Sequence, residues 1–283
     1  MKQRFITAMG GLVILAVVLN FFETPVLNVA ISIISLLGVY EVLKAAGCLQ
    51  NRTIAVITFA FAACIPFFKT QIIMQLLPII CYIFILVLFA ALLKNHETMH
   101  VEQVGFIFFI GIIIPFSLTT AIYMRDSLGL IQGIYYTGFA LTSAWMADTG
   151  AYFAGLFWGK RKLAPLISPK KTVEGAIGGA VISTLSVLLY SAVFAWLTPL
   201  LFGGQTIQIN YPVILLAAPF LVAASIVGDL SASVIKRQNN VKDFGSIMPG
   251  HGGIMDRFDS VLLVVPAVYI LSQHIPLVTL LSI

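Results

Sequence analysis

Nine apolar runs leave this chain almost no way to fold in water. They fall near residues 5–22, 26–43, 54–69, 72–93, 104–124, 132–157, 175–198, 211–235 and 254–280, with short connections between them. A bilayer span needs about 20 mostly apolar residues, and even the shorter first three approach that length. A soluble domain carries about 25% charged residues; here the figure is 10%, against 60% hydrophobic, with a mean hydropathy of +1.03. The expected fold is therefore all-α, a polytopic integral membrane protein of about nine transmembrane helices. Lys2 and Arg4 precede the first run as they would in a signal peptide, but no small-x-small cleavage site follows and the run is long for one.

Basic residues orient the spans. Lys2, Arg4, Lys44, Arg52, Lys94, Lys160, Arg161, Lys162, Lys170, Lys171, Lys236, Arg237 and Lys242 fall on the side of the N-terminus, against Lys69 and Arg125 opposite. The asymmetry predicts a cytoplasmic N-terminus and puts both basic loops, 158–174 and 236–253, in the cytoplasm. The chain divides into a region 1–130 of scaffold helices and a region 131–283 that carries the chemistry.

The first region says little. Glu41 is the one acidic residue inside a span there, near its cytoplasmic end, where snorkelling to the interface is the simplest reading. His96 and His100 stand four apart in a polar loop without further ligands, and read as solvated. Cys48, Cys64 and Cys81 have no metal-ligand spacing and read as small packing residues. No internal repeat is evident, which disfavours transporter folds built from inverted repeats.

Charge concentrates later. Ser233 to Asp259 holds eight ionisable side chains in an otherwise apolar chain, and charge at a membrane is a functional hypothesis by default. Asp229, Ser233 and Lys236 stand at i, i+4 and i+7, on one helix face; Asp256 and Asp259 stand at i and i+3 on the next helix. Spans 8 and 9 are expected to be antiparallel neighbours that present these carboxylates to one point. Hard oxygens so arranged suit Mg²⁺, which takes one or two carboxylates plus phosphates and waters. The bland alternative pairs each aspartate with Lys236, Arg237 or Arg257. Between the helices, the turn Gly250-His251-Gly252-Gly253 lets backbone N–H groups approach an anion. His251 is a ligand, a proton-transfer group or a turn residue. Upstream, Asp148, Tyr152 and Gly155 share a helix face, and Thr172 is placed to cap the helix that contains Gly175. The basic loop before that helix anchors the chain to anionic headgroups or closes over a substrate. Metal, Lys/Arg and oriented amides without a nucleophile triad or a Walker loop are equipment for phosphoryl or nucleotidyl transfer. The membrane setting implies a lipid substrate.

The run Ser233-x2-Lys236-Arg237-x4-Lys242-Asp243-x-Gly245-x2-Met248-Pro249-Gly250-His251-Gly252-Gly253-Ile254-Met255-Asp256-Arg257-Phe258-Asp259 closely resembles the signature of the phosphatidate cytidylyltransferases (CDP-diacylglycerol synthases). Gly228-Asp229-Leu230, Asp148-Thr149-Gly150-Ala151-Tyr152-Phe153 and Ser168-Pro169-Lys170-Lys171-Thr172-Val173-Glu174-Gly175 are similar to further blocks of that family. The resemblance covers roughly 145–260; the first half matches in membrane character alone. It implies that CTP and phosphatidate give CDP-diacylglycerol and pyrophosphate, with Mg²⁺, alone or with a second cation, as cofactor.

Carried onto this chain, the resemblance makes Asp229 and Asp256 metal ligands, with Asp259 as a supporting metal ligand or orienter. Lys236, Arg237, Arg257 and His251 would serve the reaction. Asp148, Ser168, Lys170, Lys171, Thr172, Glu174, Ser233, Lys242, Gly252 and Gly253 would bind substrate. It further implies a homodimer in the bacterial cytoplasmic membrane, with CTP and membrane phosphatidate as partners and no nucleic acid. Ala232 stands where many bacterial members have Glu; by helical spacing it faces away from Asp229. An ion transporter would explain the aspartates but not the Gly-rich turn or the two basic loops on one side. A transferase for another lipid phosphate stays closer, whereas the pattern of CDP-alcohol phosphotransferases is not found.

Overall fold

The computed structural model describes residues 2–248, 250 and 252–281. It is built from helices α1 (Lys2–Asn20), α2 (Val26–Ala45), α3 (Arg52–Cys64), α4 (Gln71–Lys94), α5 (Val101–Trp158), α6 (Val173–Leu201), α7 (Tyr211–Gln238), α8 (Met255–Phe258) and α9 (Val261–His274). Five of them, α2, α4, α5, α6 and α7, are long and apolar enough to cross a membrane. Large apolar side chains stand outward along them, among them Ile72, Leu93, Leu216 and Phe220, the last 79% exposed. Exposure of that extent suits lipid and not water.

The runs near 104–124 and 132–157 both lie in α5, which spans 58 residues. At ~1.5 Å per residue such a helix would reach roughly 87 Å, nearly three times the ~30 Å hydrocarbon thickness. Gly129 interrupts it with φ 80° and ψ −175°, a left-handed-side conformation that glycine adopts without steric cost. Each stretch on either side of Gly129 is long enough to cross once.

Two small antiparallel sheets depart from an all-α expectation. Strands β1 (Lys162–Ala164) and β2 (Ser168–Thr172) form a hairpin in the basic loop before α6. Strands β3 (Thr206–Ile209) and β4 (Val278–Leu281) pair residue for residue from Thr206↔Leu281 to Ile209↔Val278. The end of the ninth apolar run is thus strand, and α9 is only 14 residues long.

The chain separates into two compact units. The first contains residues 1–119 and 238–257, the second 120–237 and 258–283. In the first, α2, α3, α4 and the start of α5 pack through aromatic and small residues. Phe61 stacks on Phe84 at 4.2 Å between ring centroids, and Phe84 on Phe108 at 6.0 Å. Gly111 lets Thr58 approach; a Cβ there would stand 2.8 Å from its methyl. Asn28 and Ser32 on α2 donate to the carbonyls of Pro66 (2.6 Å) and Ala63 (3.1 Å), satisfying the chain where α3 ends. Asn51 caps α3 by accepting from the Thr53 and Ile54 N–H groups.

In the second unit, α5 and α6 close on each other through a stripe of small residues. Gly150 lies against Gly179 and Ile182, and Gly178 against Ala154, the close backbone approach that small residues permit between membrane helices. Ser183 donates to the Ser143 carbonyl at 2.9 Å, and Tyr135 shares a 2.8 Å hydrogen bond with Ser191. The Tyr136 hydroxyl accepts from the Leu277 N–H at 2.8 Å, fixing the entry to β4.

Candidate active site

Within the second unit, α7 presents Asp229, Ser233 and Lys236 on one face as their spacing predicts. Ser233 Oγ donates to Asp229 Oδ1 at 3.4 Å. Lys171, on β2, forms an ion pair with Asp229 Oδ2, and Lys236 Nζ stands 3.9 Å from Asp259 Oδ2. Ser260 Oγ donates to Asp148 Oδ2 at 2.9 Å, which brings the α5 aspartate to the same place. Asp259 is 7% exposed; its carboxylate is repelled by Asp229 and Asp148 and attracted by Lys236. Gly228 makes this proximity possible. A Cβ on it would meet the Asp259 carbonyl at 2.5 Å and the Ser260 Cα at 3.3 Å, so α7 can lie against Asp259–Ser260 only through a glycine.

The hairpin in the same unit is anchored at both ends. Thr172 Oγ1 accepts the Gly175 N–H at 3.0 Å, the cap expected from sequence. Glu174 accepts from the N–H groups of Lys160 and Arg161 at 3.0 Å each, holding the chain as it leaves α5. Arg237 Nε donates to the Ile167 carbonyl at 3.4 Å, tying the hairpin tip to the end of α7. Lys171 faces Asp229 while Lys170 is exposed and Ser168 half-buried.

The first unit contains the other half of the signature. Asp256 Oδ2 accepts two backbone N–H bonds, from Phe244 at 2.9 Å and Gly253 at 3.0 Å. Met248 and Gly252 bridge across the intervening turn, with Gly250 and Gly252 at φ 78° and 86°. Gly-rich chain is required there because the turn needs positive φ. Lys242 and Arg257 are exposed. His251 and Pro249 lie outside the described residues.

Two expectations are corrected. Asp256 and Asp259 do not share a face of one long helix: α8 stops after a single turn. Asp259 Oδ1 accepts the Ser260 N–H at 2.8 Å, a local side-chain bond that competes with helix continuation. Glu41 does not snorkel. It is 1% exposed and accepts the Met255 N–H at 2.9 Å. The signal for it was present, since an acidic residue inside an apolar run is costly enough to need a reason. Ser260 carried no comparable signal.

Among the described residues no group of three His, Cys, Asp or Glu side chains is placed to hold a metal by itself. Mg²⁺ asks less of a protein than that, completing its octahedron with phosphate oxygens and water. Asp229 and Asp259, mutually repelling hard-oxygen donors in one unit, fit that requirement.

The cytidylyltransferase family matches residues 2–275. Similar proteins include the phosphatidate cytidylyltransferase of Bacillus subtilis, 40% identical over 190 residues, which are 67% of this chain and 65% of that protein. That of Staphylococcus haemolyticus is 42% identical over 142 residues, half of each chain. That of Haemophilus influenzae is 36% identical over 137 residues, 48% of this chain and 44% of that one. The matched region covers less than two thirds of the length of each relative.

Proposed function

The chain belongs to the cytidylyltransferase family, and from that premise we propose that it transfers the cytidylyl group of CTP to phosphatidate. A phosphatidate oxygen attacks the α-phosphorus of CTP, the bond from that phosphorus to the bridging oxygen breaks, and pyrophosphate leaves with CDP-diacylglycerol as product. The observation that carries this reading is the cluster of Asp148, Asp229 and Asp259 interleaved with Lys171 and Lys236. Carboxylates and ammonium groups placed together suit a substrate that is polyanionic and metal-bound.

Asp229 and Asp259, both in the second unit, are the proposed Mg²⁺ ligands, with a second cation allowed by the same donors; Asp256, in the first unit, is assigned to metal on the signature alone. When bound, Mg²⁺ supplies charge neutralisation for the phosphates. Lys171 and Lys236 pair with Asp229 and Asp259 and are the groups proposed to turn to phosphate oxygens. Arg237 positions the hairpin that carries Lys171. Ser168, Lys170 and Thr172 are assigned to substrate as part of that hairpin, Lys242, Gly252 and Gly253 as part of the signature loop. Glu174 serves by fixing the start of the hairpin.

We propose nine crossings: α2, α4, α6 and α7, the two stretches of α5, and the shorter α1, α3 and α8–α9. The one-sided distribution of Lys and Arg supports a cytoplasmic N-terminus, hence sites on the side where CTP is found. A cytoplasmic-membrane location and a homodimer complete the proposal. The test is pyrophosphate release by detergent-purified protein given CTP and phosphatidate, with Mg²⁺ or with EDTA. Mg²⁺-dependent release that requires both substrates is expected; release with neither dependence, or none from well-folded protein, refutes the reading.

Lys171→Ala is expected to raise KM for CTP or phosphatidate by roughly tenfold, the scale of one charge-assisted hydrogen bond, with the melting temperature lowered by a few degrees at most because the pair still reaches solvent, its side chains 25% and 24% exposed. Steady-state kinetics against each substrate check this. Unaltered kinetics would leave the hairpin as a headgroup anchor.

A further inference from the structure

In the first unit, Glu41 of α2 lies inside the fold of a loop that is more than two hundred positions away in sequence. Its Oε2 accepts the Met255 N–H at 2.9 Å. Its Oε1 has no hydrogen-bond partner among the described residues. The loop is shaped around that carboxylate: a Cβ on Gly245 or on Gly253 would run into it, and for both glycines the three nearest atoms all belong to Glu41. The same loop positions hold Asp256. Gly253 donates its N–H to Asp256 Oδ2, and so does Phe244, the neighbour of Gly245. Two carboxylates thus share one short piece of chain.

A buried carboxylate is costly unless its bonds compensate, and a Leu or Met would fill an apolar helix position without that cost. Helix packing therefore does not account for Glu41; the arrangement of the loop does. Its oxygen fixes the Met255 N–H, the residue before Asp256, and its bulk sets how near Gly245 and Gly253 can come. We infer that Glu41 is a positioning residue for Asp256: it orders the chain at 244–245 and 252–255 so that the Phe244 and Gly253 N–H groups converge on the Asp256 carboxylate. The inference rests on the proposed reaction for its catalytic consequence, but not for the ordering itself.

The test uses the full chain in detergent, with two readouts. The first is backbone amide exchange of peptides covering 241–256 without substrate; the second is pyrophosphate release. Glu41→Ala is expected to speed exchange in that segment and to lower kcat, each by roughly ten- to a hundredfold, the loss of one buried bond to a charged group. Glu41→Gln presents an amide oxygen to the same Met255 N–H, so both readouts should recover to within about threefold of the unaltered chain. Gly245→Ala attacks the contact from the loop side and should also speed exchange and slow turnover. Added to Glu41→Ala it should cost nothing more, because the group its Cβ strikes is gone. If Glu41→Ala does not fold, Gly245→Ala and Glu41→Gln decide the matter.

Unchanged exchange in Glu41→Ala, equal damage in Glu41→Gln and Glu41→Ala, or full additivity of the Gly245 and Glu41 changes would each overturn the inference. An unaltered chain that releases no pyrophosphate would sink the proposed reaction instead, while the exchange data still decide whether Glu41 orders the loop.

Discussion

Asp256→Asn is expected to reduce turnover by on the order of a thousandfold, the upper range for removing one preorganised electrostatic group from a site where charge develops, while leaving the protein folded. The reason lies in what the substitution keeps. Asp256 Oδ2 accepts the N–H groups of Phe244 and Gly253 at 2.9 and 3.0 Å, and an asparagine carbonyl oxygen can accept both. The loop therefore keeps its shape, with Gly252 at its positive φ and Glu41 accepting from the Met255 N–H. What disappears is one negative charge at the proposed metal. Pyrophosphate release should collapse, the melting temperature should hold within a few degrees, and raising Mg²⁺ should recover little. Activity within tenfold of the unaltered chain would remove Asp256 from the chemistry; collapse of the melting temperature would make it a loop-folding residue instead.

Local features of this molecule were legible in its sequence, and contacts between distant positions were not. The Thr172 cap spans three residues, so Thr at one position and Gly three further on were enough to place it. The Asp229–Ser233–Lys236 face follows from helical period alone, and α7 holds it through its last turn. Helical period does not carry over to Asp256 and Asp259, because period says nothing about where a helix stops, and the Asp259 side chain captures the Ser260 N–H. Glu41 was misread because its partner, Met255, is 214 positions away, and a helix end near the interface offers a simpler fate for a lone carboxylate. The pairing of β3 with β4 is equally remote: Thr206 meets Leu281, and both segments pass for loop or span when read alone. Asp148 is an intermediate case. Its face was predicted, but the neighbours it joins, Ser260 among them, come from distant positions.

The second large effect concerns stability as well as rate. Lys236 is 8% exposed and Asp259 7%, with the ammonium 3.9 Å from Oδ2. Asp229 and Asp148 both repel Asp259, and Lys236, together with the Ser260 N–H, offsets them. Lys236→Met keeps the apolar stem on α7 and removes the ammonium, which leaves a buried carboxylate beside two others. Breaking a buried pair from one side costs up to about 3–5 kcal/mol, less where the stranded carboxyl takes up a proton, so a drop in thermal midpoint is expected together with loss of pyrophosphate release. Neutralising the other side separates the two effects. In Lys236→Met/Asp259→Asn the uncompensated charge is gone, and the Asn oxygen can still accept the Ser260 N–H that Asp259 Oδ1 accepts at 2.8 Å. The midpoint should therefore return most of the way, while turnover stays lost because a proposed phosphate contact and a proposed metal ligand are both missing. Thermal melts and pyrophosphate release on the two variants distinguish the cases. If Lys236→Met melts like the unaltered chain, other groups neutralise Asp259. If the double variant regains turnover, Asp259 and Lys236 are a structural pair and the chemistry belongs to Asp229, Asp148 and Lys171.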